Sequence, residues 1–261
     1  MSEIIDRPLQ DFAASLADEA RQVSLEYFRA HYDVTRKQDG SPVTTADLTI
    51  ERRLKSMIEE RYPNHGVYGE EDTQLRNDAP WVWVIDPIDG TKSFATGKPT
   101  FGCLIALLHE GVPLLGIIEM PALDERWIGV SGAVTRLNGQ ACRSSSLENL
   151  EEATLNATTP DMFNQEEWET FSHLSAKTRF RQFGTDCYAY GLLALGFTDL
   201  VMEAGLGKYD YLALVPIVEG AGGCISDWQG RALTFSSGSQ VLASANPTLH
   251  HQALRIIGSR G

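Results

Sequence analysis

The chain is 261 residues long, 43% apolar, and carries a formal net charge of −13. Such a length supports one large domain or two modest ones, each with its own core, and so acidic a surface excludes nucleic acid and anionic membranes as partners. Cys103, Cys142, Cys187 and Cys224 form no C-x-x-C pair and have no histidine at zinc spacing, which excludes the common zinc patterns and fits reduced thiols in a cytoplasmic protein.

Residues 1–10 are acidic and polar, unlike a signal peptide, and no apolar run nears the roughly 20 residues that cross a bilayer. Phe12, Leu16, Ala20, Val23 and Tyr27 recur at helical spacing and predict an amphipathic helix over 8–31. A polar link with the turn pair Asp39-Gly40 follows. Thr44-x-x-Asp47 predicts the cap of a second helix over 44–62, with Ala46, Ile50, Leu54, Met57 and Ile58 as its apolar stripe. Glu51 and Lys55 read as an i,i+4 pair on its wet face. A short strand at 67–68 leads into the acidic run Gly69-Glu70-Glu71-Asp72. Further on, apolar runs at 101–108 and 112–119 predict a hairpin and 126–130 another strand. Asn138-Gly139 is the pair a type I′ turn requires.

The polar stretch 144–152 divides the chain into halves at 1–145 and 146–261. In the second half, predicted strands at 153–158, 180–183, 200–204, 224–228 and 241–244 alternate with helices at 166–174, 187–195, 211–220 and 248–257. That alternation is an α/β pattern. His250-His251 falls on the closing helix, read as a surface helix, and takes no role.

The stretch that carries chemistry is Trp81-Val82-Trp83-Val84-Ile85-Asp86-Pro87-Ile88-Asp89-Gly90-Thr91. Five apolar residues predict a buried strand, which runs straight into two carboxylates at a turn made by Pro87 and Gly90. Carboxylates held that close repel each other, and burying them costs several kcal/mol unless something neutralises them. A hard divalent cation does so with oxygen ligands. Backbone N–H groups at Gly90 and Thr91 suit a phosphate. The stretch therefore points to a magnesium site that holds a phosphate ester. Asp47, taken alone, also reads as an ordinary first-turn helix acid.

Haloacid-dehalogenase phosphatases place one residue between their two acids, and here two intervene. Asp86-Pro87-Ile88-Asp89-Gly90-Thr91 instead resembles, letter for letter, the signature of the inositol monophosphatase superfamily. Gly69-Glu70-Glu71, Val43-Thr44-x-Ala46-Asp47 and Gly220-Ala221-Gly222-Gly223 are similar to further elements of that family, and Tyr209-Asp210 stands where it normally has Trp-Asp. The resemblance implies a layered α/β/α/β/α sandwich of the α/β (α+β) class, two or three Mg²⁺ per site, and a homodimer. It implies that Glu70, Asp86, the Ile88 carbonyl, Asp89 and Asp210 hold the metals, with Asp86 bridging. Thr91, hydrogen-bonded to Asp47, would orient a metal-activated water and help take its proton, with Glu70 also in the catalytic set. Gly90 and Thr91 would grip the phosphate.

Within the superfamily, Gly184-x-Asp186-Cys187-Tyr188-Ala189-Tyr190-Gly191 and the stretches from Asp89 and from Tyr209 look most like the histidinol-phosphatase branch. Gly184, Thr185, Asp186 and Glu203 are then the substrate contacts. An extra acid at Asp186 suits a cationic ester such as L-histidinol phosphate, although Asp186 is also placed to cap the following helix. The alternatives are inositol 1-phosphate or 3′-phosphoadenosine 5′-phosphate as substrate. In a different class stands a non-catalytic magnesium-binding regulatory subunit.

Overall fold

The computed structural model describes residues 5–30, 34–36, 42–71 and 74–259. The first of its elements are α1 (Arg7–Tyr27), β1 (Val34–Arg36), β2 (Pro42–Thr44), α2 (Thr45–Arg61), β3 (Gly66–Gly69), β4 (Gln74–Leu75), β5 (Trp81–Asp89), α3 (Thr91–Ala95), β6 (Gly102–His109), β7 (Val112–Met120), β8 (Glu125–Val130), β9 (Arg136–Leu137) and β10 (Gln140–Ala141). There follow β11 (Thr154–Ala157), α4 (Gln165–Ser175), β12 (Phe180–Phe183), α5 (Tyr188–Ala194), β13 (Leu200–Glu203), α6 (Lys208–Tyr211), α7 (Leu214–Gly220), β14 (Cys224–Ser226), β15 (Val241–Ser244) and α8 (Pro247–Gly258). Among the described helices none is long and apolar enough to cross a membrane.

Both leading helices start on side-chain caps. Asp6 accepts the Leu9 N–H at 2.9 Å to open α1. Thr44 and Asp47 form a capping box on α2, as Thr44-x-x-Asp47 predicts. Helix α1 ends short of residue 31, because Arg29 turns into the left-handed region (φ +59°) after Phe28. The polar link is framed by the antiparallel pair β1–β2. Its Asp39-Gly40 turn and Asp72 of the acidic run lie outside the described residues.

Among the described residues, eight strands form one sheet in the order β10-β9-β8-β7-β6-β5-β3-β4, antiparallel except where β3 runs parallel to β5. The predicted hairpin is β6–β7. Asn138 and Gly139 join β9 to β10 with positive φ at both residues, the backbone of a type I′ turn. A second sheet has the order β12-β11-β13-β15-β14, with β11 parallel to both its neighbours.

Five layers follow from which faces are apolar. The stripes of α1 and α2 bury Leu16, Val23, Ile50, Leu54 and Ile58 against Trp83, Ile85, Ile105 and Ile117 of the large sheet. The opposite face, with Val84, Leu104, Ile118 and Trp127, packs on α5, α6 and α7. Those helices in turn meet Val201, Val241 and Ala243 of the second sheet. Leu155, Met202 and Leu242 point the other way, onto Phe171 of α4 and Leu249 and Ala253 of α8. This is the α/β/α/β/α sandwich. The seam is close: a Cβ on Gly116 would stand 1.8 Å from the Ala213 carbonyl oxygen, so the turn before α7 lies directly on β7.

Three local expectations change. The helix predicted over 211–220 is two, α6 and α7, and Pro216 sits in the first turn of α7, where its missing N–H costs nothing. Glu51 does not pair with Lys55 in water. It is buried, and its Oε2 accepts the Glu71 N–H at 2.8 Å, in space that exists because Gly69 has no Cβ. His250 faces inward, with Nδ1 3.0 Å from Ser244 Oγ and Nε2 2.9 Å from Ser226 Oγ. Burial pushes its pKa down to about 4.

Candidate active site

Strand β5 is buried through Ile88, and its pairing with β6 slips between Asp86 and Asp89. Pro87 has no N–H to donate there, and the irregularity re-aims the chain so that both carboxylates face one point. Asp210 reaches the same point from α6, where its Oδ2 accepts the Gly207 N–H at 2.6 Å. One oxygen each of Asp86, Asp89 and Asp210 lie within 4.8 Å of one another. Glu70, just beyond β3, stands outside that trio but close enough for its charge to act on Asp86, Asp210 and Asp47.

Burial, then mutual repulsion, holds the acids far from their usual range. Asp86 and Asp89 are raised well above it, and Asp210 is pushed up to about 7. Asp86 Oδ1 is buried with no hydrogen-bond partner. A cluster so desolvated, with an oxygen left bare, suits a hard divalent cation with carboxylate ligands. On these grounds the residues present fit a metal.

The structure differs from the expected water-orienting pair. Thr91 Oγ1 donates to the Ile88 carbonyl at 3.0 Å, not to Asp47. Asp47 Oδ2 is taken by the Thr44 N–H at 2.8 Å and the Thr44 hydroxyl at 2.5 Å, because the same aspartate closes the capping box. Its Oδ1 is buried and bare, and its pKa is raised to about 6 by burial, against the pull of the Thr44 bonds, with Glu70 adding to the rise. Gly90 precedes α3 in the left-handed region (φ +81°), and the first N–H groups of that turn have no acceptor within the helix.

The second half brings the predicted substrate contacts. Asp186 takes a left-handed backbone (φ +46°). It does not cap α5, whose N-cap is Cys187 without a side-chain bond. Its Oδ2 instead accepts the Ser93 hydroxyl at 3.0 Å, and the ammonium groups of Lys98 and Lys92 partly offset the rise that burial gives its pKa. The Cys187 N–H donates to Asp89 Oδ2 at 2.5 Å. Thr185 Oγ1 is buried without a partner, while Gly184 is exposed with φ +91° and open space where a Cβ would stand. Glu203 departs from the expected direct contact: it is buried, Oε1 accepts the Thr158 N–H at 2.7 Å, and Oε2 accepts the Tyr190 hydroxyl at 2.8 Å. Its oxygens are engaged within the wall of the site. Sequence reasoning missed Ser93, Tyr190, the Cys187 N–H and Glu51, since ordinary helix and loop residues give no spacing signal for contacts across the fold.

The profile of the inositol monophosphatase family matches residues 6–260. The chain belongs to that family. It is accordingly a phosphoric monoester hydrolase, and enzymes of the inositol monophosphatase family use metal ions. The chain is 46% identical to a bifunctional phosphatase, IMPL2, chloroplastic, of Arabidopsis thaliana, over 97% of this chain and 77% of that one. It is 33% identical to a histidinol-phosphatase of Chlorobaculum parvum over 97% of both. A solved inositol monophosphatase from Zymomonas mobilis superposes with a TM-score of 0.89 at 42% identity, covering 97% of this chain and 100% of that one.

Proposed function

We propose that this inositol monophosphatase family member hydrolyses L-histidinol phosphate to L-histidinol and phosphate. Glu70, Asp86, the Ile88 carbonyl, Asp89 and Asp210 would hold two or three Mg²⁺. Bound there, the cations supply an acidified water and offset charge on the phosphoryl oxygens. The chain's own groups do the rest. The N–H groups of Gly90 and Thr91 hold the phosphate. Thr91 Oγ1, its proton committed to Ile88, accepts from the attacking water and orients it. Asp47 Oδ1, buried, bare and basic enough with a pKa of about 6, takes the proton. The enzyme acts as a homodimer.

One observation carries the choice of substrate: a carboxylate at Asp186 that caps no helix and faces the Gly90 loop. A Cβ on Gly90 would stand 3.0 Å from that carboxylate. Burial first, and then the Asp186 charge, raise the pKa of Asp89 well above its usual range. Lys98 and Lys92 only partly offset the cost of burying this carboxylate, which leaves a place for a further positive group, and L-histidinol phosphate carries an ammonium. The Chlorobaculum histidinol-phosphatase supports the same reading. The Zymomonas structure favours a second one, an inositol phosphate. Specificity constants for the two esters, measured side by side with Mg²⁺, decide between them. An enzyme that prefers the inositol ester refutes the first reading.

A further inference from the structure

We propose that Ser93 is a specificity-positioning residue, which aims the Asp186 carboxylate at the cationic part of the substrate; the inference rests on the reading of Asp186 above. Ser93 lies on α3, one turn beyond Gly90, and is buried. Among the described residues its hydroxyl makes the one hydrogen bond given to the Asp186 carboxylate, at 3.0 Å on Oδ2. Oδ2 is also the oxygen that faces Gly90. Oδ1 is therefore the oxygen left to a ligand.

Three features show that this arrangement serves the carboxylate rather than the backbone. A residue needed only for a left-handed turn is supplied more cheaply by Gly or Asn, which bring no charge. The carboxylate is held against the Gly90 turn, where a Cβ on Gly90 would stand 3.0 Å from it. Capping does not account for the acid either, since the N-cap of the helix that follows is Cys187 and no side chain caps it. The fold thus holds one carboxylate in one place, where neither the turn nor a cap calls for its charge.

The same segment is fastened at its next residue, where the Cys187 N–H meets Asp89 Oδ2 at 2.5 Å. Ser93–Asp186 and Cys187–Asp89 are two bonds, side by side, that join the 184–187 segment to the loop bearing the metal ligands. The first aims the specificity carboxylate and the second orients a ligand. A substrate gripped by its phosphate at Gly90 and Thr91 then meets Asp186 at a fixed offset. Without the Ser93 bond, the exposed ammonium groups of Lys92 and Lys98, which already act on Asp186, are free to draw the carboxylate towards solvent.

The test compares histidinol phosphate with an uncharged-alcohol ester, glycerol phosphate, in wild type, Ser93→Ala, Ser93→Thr, Asp186→Asn and the double variant. In Ser93→Ala the ratio of specificity constants, cationic over neutral, falls about tenfold through KM, the effect of losing one hydrogen bond to a charged group. Ser93→Thr, which keeps the hydroxyl, restores the ratio. The double variant discriminates no worse than Asp186→Asn, because the two residues act as a unit. If Ser93→Ala lowers both esters by one factor, or if the double variant loses discrimination beyond Asp186→Asn, the positioning role is refuted while the substrate reading stands. A wild type with no preference for the cationic ester overturns that reading and this inference with it.

Discussion

Removing one carboxylate from the Asp86–Asp89–Asp210 cluster is expected to make the metal-free protein more stable. Asp210→Asn is the informative change, because the amide oxygen can still accept the Gly207 N–H that Asp210 Oδ2 holds at 2.6 Å. With the three acids within 4.8 Å, each ionised pair repels by about 3–4 kcal/mol at an effective dielectric of about 20. Proton uptake caps that cost. Asp210 titrates at about 7 in the fold instead of 3.8, so its ionised form is disfavoured by about 4 kcal/mol at most. Asp210 is partly exposed, and half that ceiling, about 2 kcal/mol, is the expected gain at pH 8. The sign follows from the raised pKa: the penalty is complete above pH 7 and fades as pH falls towards 4. A gain of about 2 kcal/mol raises Tm by roughly 4–8 °C in a chain of this length. Thermal melts in chelator at pH 8 measure it. The same melts with Mg²⁺ read the other half of the argument, since a bound ion stabilises by RT ln(1 + [Mg²⁺]/Kd): wild type gains and Asp210→Asn gains little. A variant that melts lower than wild type in chelator, or that gains as much from Mg²⁺, refutes the claim that these acids form a strained, cation-seeking cluster.

Asp186→Asn is expected to lower kcat/KM for histidinol phosphate by about 10–100-fold, the usual cost of removing one partner of a charged contact, with the fall seen in steady-state kinetics chiefly as KM. His250 stays neutral in the fold down to about pH 4 while the unfolded chain protonates near 6.5, so its contribution is whole above pH 6.5 and drains away towards pH 4, by about 3 kcal/mol at most; urea melts at pH 7 and pH 4.5 will show a smaller pH loss for His250→Asn. Gly116→Ala drives a Cβ to 1.8 Å from a backbone oxygen, and Gly69→Ala drives one to 2.3 Å from the end of the Glu51 side chain. The first is therefore expected to cost more stability, about 3 kcal/mol or more, and the second about 1–2 kcal/mol because a side chain can swing away. In activity the order reverses, since Glu51 holds the Glu71 N–H beside the candidate ligand Glu70.

What was legible in the sequence is what local rules write down. The stripe Ala46, Ile50, Leu54, Ile58 and the pair Thr44–Asp47 gave α2 and its cap, and Asn138-Gly139 gave its turn, because a helix face or a tight turn is settled within a few residues. The acids Asp86, Asp89 and Asp210 were nameable through a motif, and the bulge in β5 was not, since it depends on how β6 lies alongside. Glu51 shows the limit. Its i,i+4 spacing to Lys55 suggests water, and only the glycine at 69, eighteen positions on, makes burial possible.

The capping box explains why the candidate chemistry sits where it does. Asp47 spends one oxygen fastening the start of α2 and keeps the other bare in a buried place. A glutamate, one methylene longer, could close the same box, yet its free oxygen would stand elsewhere. The shorter acid therefore ties the candidate proton acceptor to a rigid helix start, and the bond from Thr91 to Ile88 ties the start of α3 to β5. Stability and reactivity draw on the same two side chains, so Asp47→Asn should keep the box through its amide oxygen and lose the acceptor: at pH 8 the fold is held or made more stable, by about 3 kcal/mol at most because the buried carboxyl titrates at about 6 instead of 3.8, while turnover falls by about 10²–10⁴-fold. Loss of both together would show that Asp47 serves the fold alone.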